Sequence, residues 1–295
     1  MTLIRAFAAI DALFLATMGS LLAAAVSYRL RDARAVARPL AVLGWALATV
    51  FWVLTTSNYL ATGRSFLGLV GLVTVVVAGY TTTLVARDRQ PGVDLTVAFA
   101  VMAICFLPFQ FVEPIHRFVL DTVAGHTAWV LSLAGFAPLV GAGPAGYANV
   151  IYFAGQPATH SIRIVSACTG ISAIALFAGL VVATRADPRR RIATAVAVGA
   201  LIYALNIARA VFVAGALAGR WFAFATGPAG AVFGTTDPAL VSYYVAEYLL
   251  AQVLVVVVLL WVYARLADRL PELQSLVDGF LSAAATDIGR LSPRS

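Results

Sequence analysis

The chain contains no lysine, two cysteines (Cys105 and Cys168) and three histidines (His116, His126 and His160). Charged residues make up 11% of it, against 62% hydrophobic. Each scarcity closes off a class. Two cysteines so far apart in sequence are no disulfide framework. Histidines without ligand spacing give no metal motif, so neither a metal nor a cofactor is expected. A soluble domain carries roughly 45–50% apolar and about 25% charged residues. With a mean hydropathy of +0.93, this chain is expected in a bilayer. Its net charge of +7 comes wholly from arginine. Those arginines sit in short connectors between apolar runs, a topology signal and not a nucleic-acid surface. The first run, Phe7–Tyr28, is long enough to span by itself and does not read as a cleaved leader.

What is present is a stack of apolar runs. The pattern predicts an all-α polytopic membrane protein of about seven transmembrane helices, with an outer-side loop and β-hairpin before the active-site helix. The spans are about Phe7–Tyr28, Pro39–Ala61, Phe66–Ala86, Leu95–Val112, Cys168–Thr184, Ile192–Ala218 and Ala239–Leu266. Each approaches or exceeds the roughly 20 apolar residues that cross a hydrocarbon core. Arginine is dense in alternate connectors: Arg29, Arg31, Arg34 and Arg38; Arg87 and Arg89; Arg185, Arg189, Arg190 and Arg191; Arg265 and Arg269. The intervening ones hold only Arg5, Arg64, Arg117, Arg163 and Arg220. The positive-inside rule therefore places the C-terminus in the cytoplasm and the N-terminus outside.

Four regions follow: 1–112, the first four helices; 113–167, an outer segment; 168–270, the last three helices; and 271–295, a cytoplasmic tail. Within the outer segment, the apolar stretch Trp129–Val140 is expected to be re-entrant or interfacial, because a crossing would invert the charge pattern. NVIYFAG and HSIRIVSA, around Gly155-Gln156-Pro157, read as a β-hairpin leading to Cys168. The tail from Pro271 has apolar residues at helical spacing and reads as an amphipathic interfacial helix.

Two residues stand out against this background. Arg209 lies inside an apolar run, where a charge costs roughly 2.5–3.5 kcal/mol and is retained for a partner or a task. Cys168 opens another, near the positive end of a helix. At about 1.5 Å per residue, counting from the arginine anchors puts Cys168, Arg209 and Glu247/Tyr248 in one outer layer. Asn206 shares a helix face with Arg209, and Asp237-Pro238 is a good start for the last helix.

ACTGIS, LNIARAVFV and DPALVSYYVAEYLLAQ resemble archaeosortases, specifically the archaeosortase A group of the exosortase/archaeosortase superfamily. The motifs cover roughly the last 130 residues; the first half matches only as a generic stack of spans. The resemblance implies a membrane-embedded cysteine transpeptidase of archaea. Such an enzyme cleaves a C-terminal sorting signal (a Pro-Gly-Phe motif, a transmembrane helix and a basic tail) on surface proteins such as S-layer glycoprotein. It then transfers them to a membrane phospholipid. Its partners would be signal-bearing proteins and lipid, not nucleic acid. It implies Cys168 as nucleophile and Arg209 as the triad arginine, and it puts the third triad position, a histidine or arginine in the family, at Tyr248.

Tyrosine supplies no cation. The departure leaves three readings: an engineered, disabled variant, a divergent enzyme in which Tyr248 donates a hydrogen bond, or a non-catalytic homologue. Asn206, Glu247 and His160 are supporting candidates, Glu247 as an orienting partner for Arg209 and His160 as a substitute acid or base. Each also has a plainer role. A lone cysteine is more often a small buried hydrophobe, an intramembrane arginine often sits in a structural ion pair, and a loop histidine is usually polar surface. Cys105 reads as packing, and Asp11 and Asn58 as helix–helix contacts. A hydrolytic intramembrane cysteine protease would use the same nucleophile with water as acceptor. A transporter is disfavoured, because the polar groups form one layer and no inverted repeat is visible.

Overall fold

The computed structural model describes residues 2–30, 33–62, 65–184 and 186–291. Arg31, Arg64 and Arg185 of the charge pattern lie outside the described residues. Six helices among those described are long and apolar enough to cross a bilayer: Ile10–Arg29, Ala35–Ala61, Leu67–Ala86, Gln90–Phe111, Pro188–Gly219 and Pro238–Arg269. The chain is a polytopic, predominantly α-helical membrane protein with one small sheet. It divides into two compact units.

The first unit comprises residues 1–104, 178–192 and 270–295. It holds α1 (Thr2–Arg29), α2 (Arg34–Ala61), α3 (Ser65–Ala86), the start of α4 (Gln90–Phe111) and α11 (Pro271–Leu291). Leu21, Ala24, Ala41, Trp45 and Ala78 form its core. Small residues let these helices approach closely: a Cβ on Gly44 would come within 2.7 Å of the Leu21 side chain. The buried Trp45 indole donates to Thr96 Oγ1 at 3.0 Å, so its polar edge is satisfied. The tail is the helix the spacing predicts, with Leu273 and Leu276 buried. Asp287 fastens it, accepting from the Tyr80 hydroxyl, Arg87 and Arg89, each at 3.1 Å.

The second unit, residues 105–177 and 193–269, carries the residues singled out above. It contains the end of α4, α5 (Glu113–Leu133), strands β1 (Pro138–Gly141), β2 (Val150–Phe153) and β3 (Ile162–Arg163), the beginning of α6 (Ile171–Ala183), and most of α7 (Pro188–Gly219). After α8 (Thr226–Phe233) and α9 (Pro238–Tyr244), a π-helical turn over Val245–Leu250 leads into α10 (Ala251–Arg269). The strands pair antiparallel in the order β1-β2-β3, with Pro138 opposite Phe153 and Val150 opposite Arg163.

Three findings correct or refine the expectations. The segment 113–167 is not mostly loop, for α5 occupies its first part. Leu120, Val123, Ala124, Thr127, Ala128 and Leu131 bury one face of that helix, while His116, Arg117, Asp121 and His126 interrupt the apolar run that hydropathy detects. Trp129–Val140 is not one re-entrant segment. It splits into the end of α5, a turn at Gly135 with φ 86° and strand β1. The expected hairpin is present, but β1 joins it to make three strands.

The predicted span Cys168–Thr184 is also shorter as a helix. α6 has 13 residues, about 20 Å at the helical rise, and Cys168 precedes it in a 3-10 turn over Ser166–Cys168. Gly170 separates the two at φ 73°, a conformation that favours glycine. A Cβ there would meet the Asn206 side chain at 3.2 Å.

Candidate active site

The sheet delivers the chain to Cys168. Beyond β3, Ile164 N donates to Asn149 O at 2.7 Å, and the buried Asn149 side chain donates back to Ile164 O at 2.7 Å. This reciprocal clamp fixes the strand's exit, and Val165 leads into the 3-10 turn. Cys168 N donates to Val165 O at 2.7 Å, and the half-buried side chain packs on the core containing Leu120, Ile164 and Ile207. Cys168 is therefore not the first residue of α6. Thr169 Oγ1 takes the cap, accepting from Ile171 N at 3.3 Å.

α7 supplies the next two groups from one face. Asn206 Nδ2 donates to the Cys168 carbonyl oxygen. Arg209, one turn further on, donates from Nη2 to Glu247 Oε1 at 2.5 Å. The pair is largely enclosed, with side chains 12% and 18% exposed, and Arg209 Nε is buried with no partner. Glu247 lies within the π-helical turn. Such single-turn insertions are frequent at functional sites and rotate the residues they contain relative to the flanking helix. Tyr243 lies within electrostatic range of Glu247 and Cys168. The signal for Tyr243 in the sequence is its i,i+4 spacing from Glu247, which puts the two on one face.

Tyr248 is placed differently. It is 48% exposed and joins an aromatic wall, stacked on Tyr244 at 5.8 Å between ring centroids and 6.4 Å from both Phe233 and Tyr243. Thus Asn206 is brought to Cys168 and Glu247 to Arg209, while Tyr248 faces its aromatic neighbours. Cys105 is half-buried on α4.

His160 has another partner. Its side chain is buried, and Nε2 lies 2.7 Å from Asp237 Oδ2. Asp237 also caps α9 as the sequence indicates, accepting from Ala239 N at 2.8 Å through Oδ1, with Pro238 following. Partial desolvation acts to raise the Asp237 carboxyl. The His160 hydrogen bond and the backbone donors of Ala239 and Leu240 together outweigh it and hold the carboxyl below its usual range. A depressed carboxylate stabilises the fold above its unfolded pKa and loses that contribution as pH falls through the folded value. Asp237→Ala is expected to cost about 1 kcal/mol from the cap alone and to flatten stability between neutral and acid pH. Asp237→Asn keeps the cap but loses the carboxylate's bond to His160, and with it the pH-dependent part of the stability. Thermal unfolding of both variants at two pH values checks this.

The family model described as "Transmembrane exosortase" matches residues 9–236. An archaeosortase A of Natronomonas pharaonis is 35% identical over 272 residues, covering 90% of this chain and 86% of that protein. An archaeosortase A of Haloferax volcanii is 29% identical over 288 residues, covering 94% of each. No solved structure matches this chain significantly. With a match this long on a core of apolar helices, the chain belongs to the exosortase/archaeosortase superfamily of multi-pass membrane proteins, in its archaeosortase A group.

Proposed function

We infer that this chain is a membrane-embedded cysteine transpeptidase acting on C-terminal sorting signals, with Cys168 as nucleophile. The observation that carries it is the hydrogen bond from Asn206 to the Cys168 carbonyl. It ties the thiol-bearing turn to α7 one helical turn from an enclosed guanidinium. Attack by sulfur on the substrate carbonyl forms a thioester and expels the C-terminal fragment as an amine, dividing one hard exchange into two easier steps. Arg209, held by Glu247, offers donors to the developing oxyanion, an effect strengthened where water is scarce. A lipid headgroup hydroxyl then resolves the thioester and returns sulfur to its starting state. Water in that role would make the same site a protease. The arginine-rich connectors favour a site toward the outer leaflet, which suits a substrate held by its own transmembrane helix.

Tyr248 belongs here as the position where the family's cation is absent. The test is a co-expressed reporter ending in Pro-Gly-Phe, an apolar helix and an arginine tail, followed by mass spectrometry. Cleavage near the motif with a lipid adduct is expected, and Tyr248→Arg should raise the yield. A reporter recovered intact from both chains contradicts the transpeptidase assignment.

A further inference from the structure

A narrow cleft flanks the Cys168 turn, lined by Phe106, Phe109, His116, Leu120, Ser166 and Thr169. Ser166 and Thr169 bracket Cys168 in sequence, and Leu120 belongs to the core on which Cys168 packs. His116 stands one turn before Leu120 on α5, half-buried. Its spacing from His126 and His160 is not that of a metal ligand.

One contact sets the tautomer of its neutral ring. His116 Nδ1 lies 2.9 Å from the backbone oxygen of Phe109. A carbonyl oxygen only accepts, so Nδ1 carries the hydrogen and donates it. The neutral ring then has its lone pair on Nε2, the tautomer required of a proton acceptor. The Tyr147 ring packs edge-on against the imidazole at 5.9 Å and limits its rotation. The other histidines are engaged elsewhere, His160 with Asp237 and His126 with the Tyr203 hydroxyl at 2.6 Å.

We propose that His116 is the proton carrier of the Cys168 site, a role that rests on the transpeptidase reading above. In the first step the thiol proton passes to His116 Nε2. The S–C bond forms, the C–N bond breaks, and the departing amine takes that proton. In the second, the acceptor hydroxyl gives its proton to Nε2. The O–C bond forms, the C–S bond breaks, and the proton returns to sulfur. Nε2 begins and ends each step unprotonated.

The test uses purified full-length protein in phospholipid vesicles with the Pro-Gly-Phe reporter. His116→Gln keeps an amide N–H to donate to the Phe109 carbonyl but cannot carry a proton. It is expected to lower kcat about 100-fold with KM nearly unchanged. His116→Gly is expected to lose activity and regain about tenfold when imidazole is added. His116→Gln at the parent rate, or His116→Gly unmoved by imidazole, overturns the proposal. Cys168→Ala serves as the separate control. If it still processes the reporter, the transpeptidase reading itself fails; if it is inactive while His116→Gln runs at full rate, only the role of His116 falls.

Discussion

Cys168→Ala should abolish reporter processing, and Cys168→Ser should come close to doing so. Losing the nucleophile of an acyl transfer costs on the order of 10⁶ in kcat where the remaining groups act only through it. Here those groups are Asn206, which holds the Cys168 carbonyl, and Arg209 one turn away. Neither offers a replacement nucleophile. The variant should fold normally, because Cys168 is a small, half-buried side chain at the edge of its core. Cys105→Ala should retain full activity. Quantified cleavage in membranes separates the outcomes, and undiminished processing by Cys168→Ala refutes the nucleophile assignment.

The second large effect concerns Arg209 and Glu247. Glu247→Ala leaves a guanidinium enclosed without its partner, and removing one member of such a pair costs about 3–5 kcal/mol. Replacing both with apolar residues, Arg209→Met with Glu247→Leu, should recover most of that stability, since a well-packed apolar pair is often as stable as the ion pair. Activity should not recover, because the double variant lacks the oxyanion donor proposed for this site, whose loss alone costs about 10²–10³ in rate. Unfolding in detergent across the four chains of a double-mutant cycle gives the coupling. Simple additivity, or an active double variant, contradicts the arrangement.

The long spans were legible because length and apolarity are local properties. α1 to α4, α7 and the Pro238–Arg269 helix need no tertiary partner to be recognised. α5 was not legible, because His116, Arg117, Asp121 and His126 lower the hydropathy of a helix whose apolar face is continuous. The break before α6 was hidden for a different reason. Gly170 adopts a positive φ against Asn206, on a helix distant in sequence. The π-helical turn has a similar origin, for nothing in VAEYLL marks it and Glu247 finds Arg209 38 residues away. Depth counting groups Cys168, Arg209 and Glu247/Tyr248; of these Arg209 and Glu247 are bonded, while Tyr248 joins the aromatic wall. It had no means of pairing His160 with Asp237, 77 residues apart.

The most direct measurement is an acid-quenched turnover of the full-length protein with the reporter, followed by peptide mapping for an acyl adduct. The peptide containing Cys168 should carry the reporter's N-terminal part through a bond that hydroxylamine discharges. Product accumulating with no adduct at Cys168, or an adduct on Cys105 instead, would contradict a mechanism that passes through a thioester at this turn.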